Sequence, residues 1–233
     1  MRLKSVLILS LLALAACATP AKTHYYMLSA STPPPAKTAG ETPDYRVAIG
    51  PVSMPEALDR AQIVLRVAPN RYEISDDARW SEPLKREIPR ILAEQVGQRL
   101  PAAHVATHLQ QGAQGADYHV LVDVLRFDSA PGESITLEAT WSVRDRAGVR
   151  LHEAHSVFVE QVDAPGVVPL VNAHAKAADA LGNKIAEALD FLARTRPKAT
   201  PKCAMERPLD STKPKRSGSV FDAIPARQEK GAQ

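Results

Sequence analysis

The side chain with the clearest chemical signature is the thiol of Cys17, which directly follows a Leu-Ala-Ala sequence. A basic start, with Arg2 and Lys4, precedes a short apolar run from Val6 to Leu12. This order is that of a secretory signal peptide, and the run is shorter than the ~20 residues of a membrane-spanning helix. A cysteine after the small residues resembles the lipobox, in which the thiol is diacylated and becomes the new N-terminus. We therefore predict that residues 1–16 are a lipoprotein signal peptide and that Cys17 carries fatty acids such as palmitate.

Lipid attachment also predicts where the chain resides. Each buried CH2 contributes ~0.8 kcal/mol, so two or three acyl chains anchor a protein stably where one chain holds it only marginally. Ala18 follows the cysteine, whereas an aspartate there would resemble the enterobacterial signal for retention in the inner membrane. The sequence thus predicts an outer-membrane lipoprotein on the periplasmic face. Because the lipid uses the thiol of Cys17, the second cysteine, Cys203 in the polar tail, has no partner for an internal disulfide. Cys203 is either an incidental residue or a reactive thiol, which could also pair with another molecule.

Histidine pairs are the next groups that could do chemistry. His104 and His108 have the i, i+4 spacing that places two zinc ligands on one face of a helix, and His152 and His155 are also close in sequence. The intervening valine and threonine of the first pair indicate a strand instead, on which residues four apart lie ~13 Å from each other and cannot share one ion. We therefore predict no metal site and no cofactor.

Catalytic motifs do not accompany these side chains. The sequence has no Gly-x-Ser-x-Gly elbow, no His-Glu-x-x-His pair, no Cys-x-x-Cys and no phosphate loop of the Gly-x-x-x-x-Gly-Lys type. The glycine-bearing segment Gln110–Gly115 lacks a Lys-Ser or Lys-Thr ending and is predicted to be a flexible connection. Carboxylates such as Asp123 and Asp128 are expected in loops or on solvent faces. We predict that the chain is not an enzyme.

The elements that position these residues follow from hydrophobic periodicity. Between Asp117 and Glu160 apolar and polar residues alternate, which is the period of a half-buried strand. Turns at Pro131-Gly132 and Asp145–Gly148 divide this segment into a meander of three antiparallel strands. On the first strand, simple alternation places Phe127 on the face opposite Val124.

Shorter strands and two helices complete the predicted fold. The strands are expected over residues 24–29 and 46–52, with a hairpin formed by 62–67 and 71–75. One helix is expected to begin with Ser81 as its N-cap, to kink at Pro89 and to end near Leu100, and a second to run from Pro169 to Leu192. Together these elements predict a single α/β domain with a mixed, largely antiparallel sheet and two main helices packed on it.

Composition divides the chain into four parts. They are the signal peptide (1–16), the lipid anchor with a first short strand and a proline-rich linker (17–44), the α/β domain (45–194) and a disordered basic tail (195–233). The net charge of +3 is small, and Phe221 is the only aromatic residue of the tail. A nucleic-acid-binding protein needs a basic stripe with interleaved aromatics on a folded face, so the sequence excludes that class.

Four segments carry a resemblance to a known family: Tyr25–Leu28, Pro51–Arg66, Arg79–Leu84 and the strand Leu137–Val143. With the lipobox, their order and spacing resemble the auxiliary lipoproteins of Gram-negative ABC-type and MCE-type lipid transport systems, the family that includes PqiC. The resemblance covers residues 25–192. It implies a non-catalytic α/β domain hung from the outer membrane. Such a domain would dock, as a homo-oligomer, on a periplasmic MCE or ABC transporter component that moves phospholipid or other hydrophobic cargo.

The middle two segments supply candidate residues for contact with a partner or a second copy. These are Pro55, Leu58, Asp59, Arg60 and Trp80. Aromatic and arginine side chains are enriched at interface hot spots, so exposure of this loop would favour a contact role. The alternative is structural: Trp80 fills the gap between the helix start and the sheet, and Asp59 with Arg60 forms a solvated turn pair. Trp141, on an apolar strand face, is predicted in the core.

Two further classes of function stay open at this point. One is a lipid-anchored periplasmic hydrolase, which histidine and carboxylates converging in one deep pocket would indicate. The other is a structural envelope lipoprotein whose basic tail binds anionic polymer or headgroups.

Overall fold

The structure, a computed structural model, describes residues 22–29 and 45–195. The predicted signal peptide, Cys17, the proline-rich linker and the tail from residue 196 on lie outside these residues. The described residues form eight strands and two α-helices. The strands are β1 (His24–Tyr26), β2 (Tyr45–Ser53), β3 (Gln62–Ala68), β4 (Arg71–Trp80), β5 (Ala103–Thr107), β6 (Tyr118–Ala130), β7 (Ser134–Asp145) and β8 (Arg150–Gln161), and the helices are α1 (Leu84–Arg99) and α2 (Val167–Thr195).

The predicted α/β domain, with mixed, mostly antiparallel strands and two helices, is confirmed, and its strands divide between two sheets. One sheet has three strands in the order β1-β4-β3, and the other has five in the order β5-β2-β6-β7-β8. β2 lies parallel to both β5 and β6. Its central residues Val47, Ala48 and Ile49 are all buried, which is the pattern of a strand covered on both faces. α1 packs against β2 and β5, α2 packs against β7 and β8, and the helices contact each other.

The predicted meander is confirmed. β6, β7 and β8 pair antiparallel in chain order, from Tyr118 opposite Asp145 to Ser134 opposite Gln161. Trp141, on β7, is buried, and its indole Nε1–H donates a hydrogen bond to Ser156 Oγ at 3.1 Å. The predicted core position of Trp141 is therefore confirmed as well.

A β-bulge at Leu125 overturns the face predicted for Phe127. Val124 pairs with Ala139 and Arg126 with the residue before it on β7, so Leu125 is one extra residue in β6. An extra residue shifts the alternation by one and turns the following side chains to the other face. Phe127 consequently joins the core, whereas Leu125 is exposed.

Asp128 also departs from its prediction, because its carboxylate is buried rather than solvated. It accepts hydrogen bonds from Tyr72 Oη at 3.1 Å and from Arg126 Nη2 at 2.6 Å. Arg66 on β3 lies 3.9 Å from the same carboxylate. Since Tyr72 and Arg66 belong to the three-stranded sheet, Asp128 links that sheet to β6 of the larger one.

Helix α1 starts later than predicted, and Ser81 is not its cap. The N-cap position is occupied by Pro83, and the first helical residue is Leu84. A proline disfavours the helical conformation of the residue before it, so Glu82 cannot begin a helix. The helix then continues through Pro89 to Arg99. Although α2 has 29 residues, no helix within the described ranges is long and apolar enough to cross a membrane.

The backbone of Leu28 is held by two side chains of α1, an arrangement that we call the Leu28 clasp (Leu28, Glu87 and Arg90). The Leu28 N–H donates to Glu87 Oε1 at 2.8 Å, and Arg90 Nη2 donates to the Leu28 carbonyl at 2.6 Å. The side chains of Leu28 and Glu87 are both buried. Burial raises the pKa of the Glu87 carboxyl, although the bond from Leu28 and the charge of Arg90 oppose the shift. The clasp joins the N-terminal segment to the core.

Candidate functional site

The predicted contact loop connects β2 to β3 and is compact. Leu58 N–H donates to the Pro55 carbonyl at 3.0 Å, and Asp59 N–H donates to the Glu56 carbonyl at 3.1 Å. Pro55, Glu56 and Ala57 are exposed at the outer part of this turn. We refer to residues 55–60 as the 55–60 loop. It presents a hydrogen-bonded, preformed surface rather than an extended segment.

Leu58 joins this loop to the core. Its side chain is half-buried, packs on the core and borders a narrow cleft of about 10 Å³. Gln62, Val64, Trp80 and Phe127 are among the other residues that line the cleft. This volume is below the ~300–1,000 Å³ of typical small-molecule sites, so the cleft is too small to enclose a phospholipid.

The two charged residues of the loop differ in their surroundings. Asp59 Oδ2 accepts a hydrogen bond from Lys85 Nζ at 2.7 Å, which ties the loop to the first turn of α1. Both side chains are solvent-accessible, and such surface pairs contribute only ~0–1 kcal/mol. Arg60 is half-buried, and its Nε–H has no hydrogen-bond acceptor among the described residues. Because that nitrogen is itself buried, a docked protein could contact only the part of Arg60 that stays accessible to solvent.

Trp80 has the structural role that sequence analysis gave as its alternative. Its side chain is 4% exposed and meets the rings of Phe127 and His174 edge to face, with centroids 6.0 and 6.3 Å away. Its backbone N–H donates to the Ala61 carbonyl at 2.7 Å, which fixes the end of the loop. Trp80 thus packs beneath the surface and holds the end of the loop through its backbone, and its indole is not available for contact with a partner.

A buried Ser129–His174 pair lies beside Trp80 and was not predicted. Ser129 Oγ and His174 Nε2 are 2.8 Å apart, and both side chains are buried. The imidazole stacks on Phe127, with centroids 3.9 Å apart and an interplanar angle of 11°. Burial lowers the pKa of His174 to about 3, so the ring is neutral. The available sequence signal was a lone histidine on the apolar face of the last helix, next to Ala173 and Ala175.

The histidine pairs considered for zinc do not form a metal site in the part of the chain that the structure describes. His104 lies in β5 and His108 follows it, as the strand interpretation predicted. Gly112 approaches the His104 ring and Gly50 approaches the His108 ring, so the two imidazoles contact different glycines. Across residues 22–29 and 45–195 no group of three His, Cys, Asp or Glu side chains is arranged to hold a metal ion.

Residues 26–186, which include the 55–60 loop, Trp80 and His174, match a protein family described as the ABC-type transport auxiliary lipoprotein component. The chain belongs to this family. No protein with a curated description matches its sequence significantly. A solved structure of an uncharacterized protein is similar with a TM-score of 0.60 and 17% identity, over 73% of this chain and 99% of that chain. Protein XCC0632 from Xanthomonas campestris, of family DUF330, has a TM-score of 0.56 and 14% identity, over 73% of this chain and 95% of that chain. At these identities the similarity to solved structures shows the fold alone.

The Ser129–His174 pair in this family member does not have the geometry of a hydrolase site. A catalytic serine needs an accessible hydroxyl and a histidine whose second nitrogen is oriented by a third group. Ser129 is buried, and His174 Nδ1 has no hydrogen-bond partner among the described residues. The observed pair is therefore a polar contact inside the core.

This pair predicts a measurable loss of stability in acid. The unfolded chain binds a proton at His174 below its ordinary pKa of 6.5, whereas the folded chain does so only near pH 3. The stabilising contribution is therefore complete above pH 6.5 and is lost as the pH falls from 6.5 towards 3. Between about pH 7.5 and pH 5.5 the free energy of unfolding should fall by about 1.4 kcal/mol through this residue.

Urea unfolding at the two pH values checks this expectation. The double variant Ser129→Ala/His174→Leu removes the imidazole without leaving an unpaired hydroxyl, and Ser129→Ala alone is the matched control that keeps it. The control should retain the acid-dependent loss and the double variant should lack it. An equal loss in both would contradict the assignment, because other titrating groups are common to the two variants.

Proposed function

We propose that the chain is an outer-membrane lipoprotein that acts as a non-catalytic auxiliary subunit of a lipid transport system spanning the periplasm. The observation that carries this proposal is the family match over residues 26–186. In this proposal Cys17 holds the chain to the outer membrane on its periplasmic face. The folded domain docks, as a homo-oligomer, on a periplasmic MCE or ABC transporter component and helps pass phospholipid or another hydrophobic compound between the membranes.

The geometry of the 55–60 loop supports a docking role over a role as a carrier. The cleft beside the loop, of about 10 Å³, is too small for a phospholipid, so cargo would move through a partner or a shared assembly. Exposed Pro55 and Ala57 surround the half-buried Leu58 and Arg60. An apolar side chain and a partly accessible arginine, held by a compact turn, suit a preformed contact surface.

Affinity purification from crosslinked membranes tests the proposal. We expect the wild-type chain to co-purify with further copies of itself, with a transporter component and with lipid. Arg60→Glu and Leu58→Asp should reduce recovery of these partners several-fold, because each places a carboxylate in the contact. Ala57→Arg introduces a bulky charge at an exposed position and leaves the core untouched.

Val157→Asp is the matched control, since it alters an exposed apolar residue on β8, outside the loop. Thermal unfolding of each purified variant separates loss of contact from loss of fold. Two results would replace the contact assignment with a purely structural one: unchanged recovery with all three loop variants, or reduced recovery only in those that unfold.

A further inference from the structure

Two large apolar side chains are exposed near the beginning of the described chain. Tyr25 is 68% exposed and Met27 is 51% exposed, whereas Leu28 is fully buried and Tyr26 packs against the core. The exposed and inward-facing positions alternate as they do along a strand. Tyr25 and Met27 therefore lie on the outer side of the N-terminal segment.

The segment that carries them is firmly held. β1 pairs with β4 in parallel, and Ser81 N–H donates to the Tyr26 carbonyl at 2.7 Å. The Leu28 clasp then fixes the next backbone unit to α1 through bonds of 2.8 and 2.6 Å. The exposure of Tyr25 and Met27 is thus a property of the folded domain.

The short stretch of chain between Cys17 and Tyr25 limits how far the exposed Tyr25 and Met27 side chains can lie from the acylated residue. Tyr25 is eight residues after Cys17 and Met27 is ten residues after it. A fully extended chain spans at most ~3.6 Å per residue, so these side chains lie within ~29 and ~36 Å of the acylated residue. Helix α2, with its 29 residues, is alone about 44 Å long. The short connection therefore holds the Tyr25 side of the domain towards the leaflet that contains the lipid.

Charge around the two side chains matches a headgroup layer. Arg79 lies opposite Tyr25 in the β1–β4 register, and Lys22 is exposed at the start of the segment. Neither cation forms an ion pair with an acidic side chain of the described residues. Tyrosine places an apolar ring and a polar hydroxyl at the boundary between acyl chains and headgroups, and cations interact with lipid phosphates there.

We propose that Tyr25 and Met27, flanked by Lys22 and Arg79, form a membrane-contact surface that lies in the headgroup region of the leaflet holding the lipid on Cys17. This inference rests on the acylation of Cys17 in the proposed function. The contact adds apolar burial and electrostatic attraction to the acyl anchor, and it fixes which side of the domain faces the membrane. The partner of this membrane-contact surface is the lipid bilayer itself.

Fluorescent labels at matched positions test the contact. In the acylated mature protein carrying Cys203→Ser, a single environment-sensitive probe is attached through Tyr25→Cys or Met27→Cys. The controls are Leu109→Cys and Val157→Cys, since their wild-type side chains are 68% and 51% exposed, as at the test positions. Each protein is reconstituted in vesicles of phosphatidylethanolamine and phosphatidylglycerol that contain a nitroxide-labelled lipid.

The probes at positions 25 and 27 should show blue-shifted emission and several-fold stronger quenching than the probes at 109 and 157. Equal quenching at all four positions, with acylation verified by mass spectrometry, overturns the contact surface and leaves the proposed lipoprotein function intact. Absence of the acyl group from Cys17 overturns both. Shielding of 25 and 27 in crosslinked native membranes but not in protein-free vesicles assigns the patch to a protein partner and also overturns the proposal.

Discussion

Glu87→Ala is expected to lower the free energy of unfolding by about 2–3 kcal/mol, because it leaves the buried Leu28 N–H without its acceptor. Glu87 has 1% exposure, so water does not replace the lost bond without opening the core. Arg90 keeps its bonds to the Leu28 carbonyl and to Glu94, which confines the damage to one side of the clasp. Urea unfolding of the mature chain measures the loss.

Glu87→Gln is the matched control for this change. Its amide oxygen can still accept the Leu28 N–H, and the raised pKa of Glu87 shows that its surroundings do not strongly favour the charged form. We therefore expect the glutamine variant to retain most of the stability and to keep the Leu28 amide protected from hydrogen exchange. If glutamine destabilises as much as alanine, the charge of Glu87, rather than its hydrogen bond to Leu28, is the dominant contribution.

Cys17→Ser is expected to abolish incorporation of a palmitate analogue and to release the protein from the membrane or leave its signal peptide uncleaved. The serine hydroxyl is not the thiol that the lipobox pattern requires, and without acyl chains the apolar burial that anchors the mature protein is lost. Metabolic labelling followed by membrane flotation measures both effects. Cys203→Ser removes the other cysteine of the chain and should label and float like the wild type.

Two results would contradict this prediction. Unchanged labelling of Cys17→Ser would place the acyl group on another residue. Labelling lost only in Cys203→Ser would identify the tail cysteine as the modified thiol. Either outcome would also mean that the chain length from Cys17 does not limit how far Tyr25 and Met27 lie from the membrane.

Elements with a strong local signal were predictable from the sequence. The alternation from Asp117 to Glu160 gave the three-stranded meander, and the apolar stripe after Pro169 gave helix α2, which begins two residues earlier at Val167. Predictions were wrong where a single residue interrupted the local pattern of a helix start or of strand alternation. Pro83 displaced the start of α1 from Ser81, and the extra residue Leu125 turned the following side chains to the other face.

Contacts between distant residues were not predictable from local patterns. Leu28 and Glu87 are 59 residues apart, and Ser129 and His174 are 45 apart. A partial signal existed for the first pair, because Glu87 follows Leu84 by three residues and so stands on the apolar face of α1. For the 55–60 loop and Trp80, the sequence indicates both a contact role and a structural role, and only the packing of the fold separates the buried Trp80 from the exposed Pro55 and Ala57.

The Leu28 clasp also determines how mechanical load is carried. Tension on an acylated Cys17 would enter the described structure at residue 22 and meet the β1–β4 ladder and the clasp by residue 28. Force then passes directly into α1 and bypasses residues 30–44, which follow the clasp in the chain. Insertions or deletions within residues 30–44 would therefore leave unchanged the length of chain between Cys17 and the clasp.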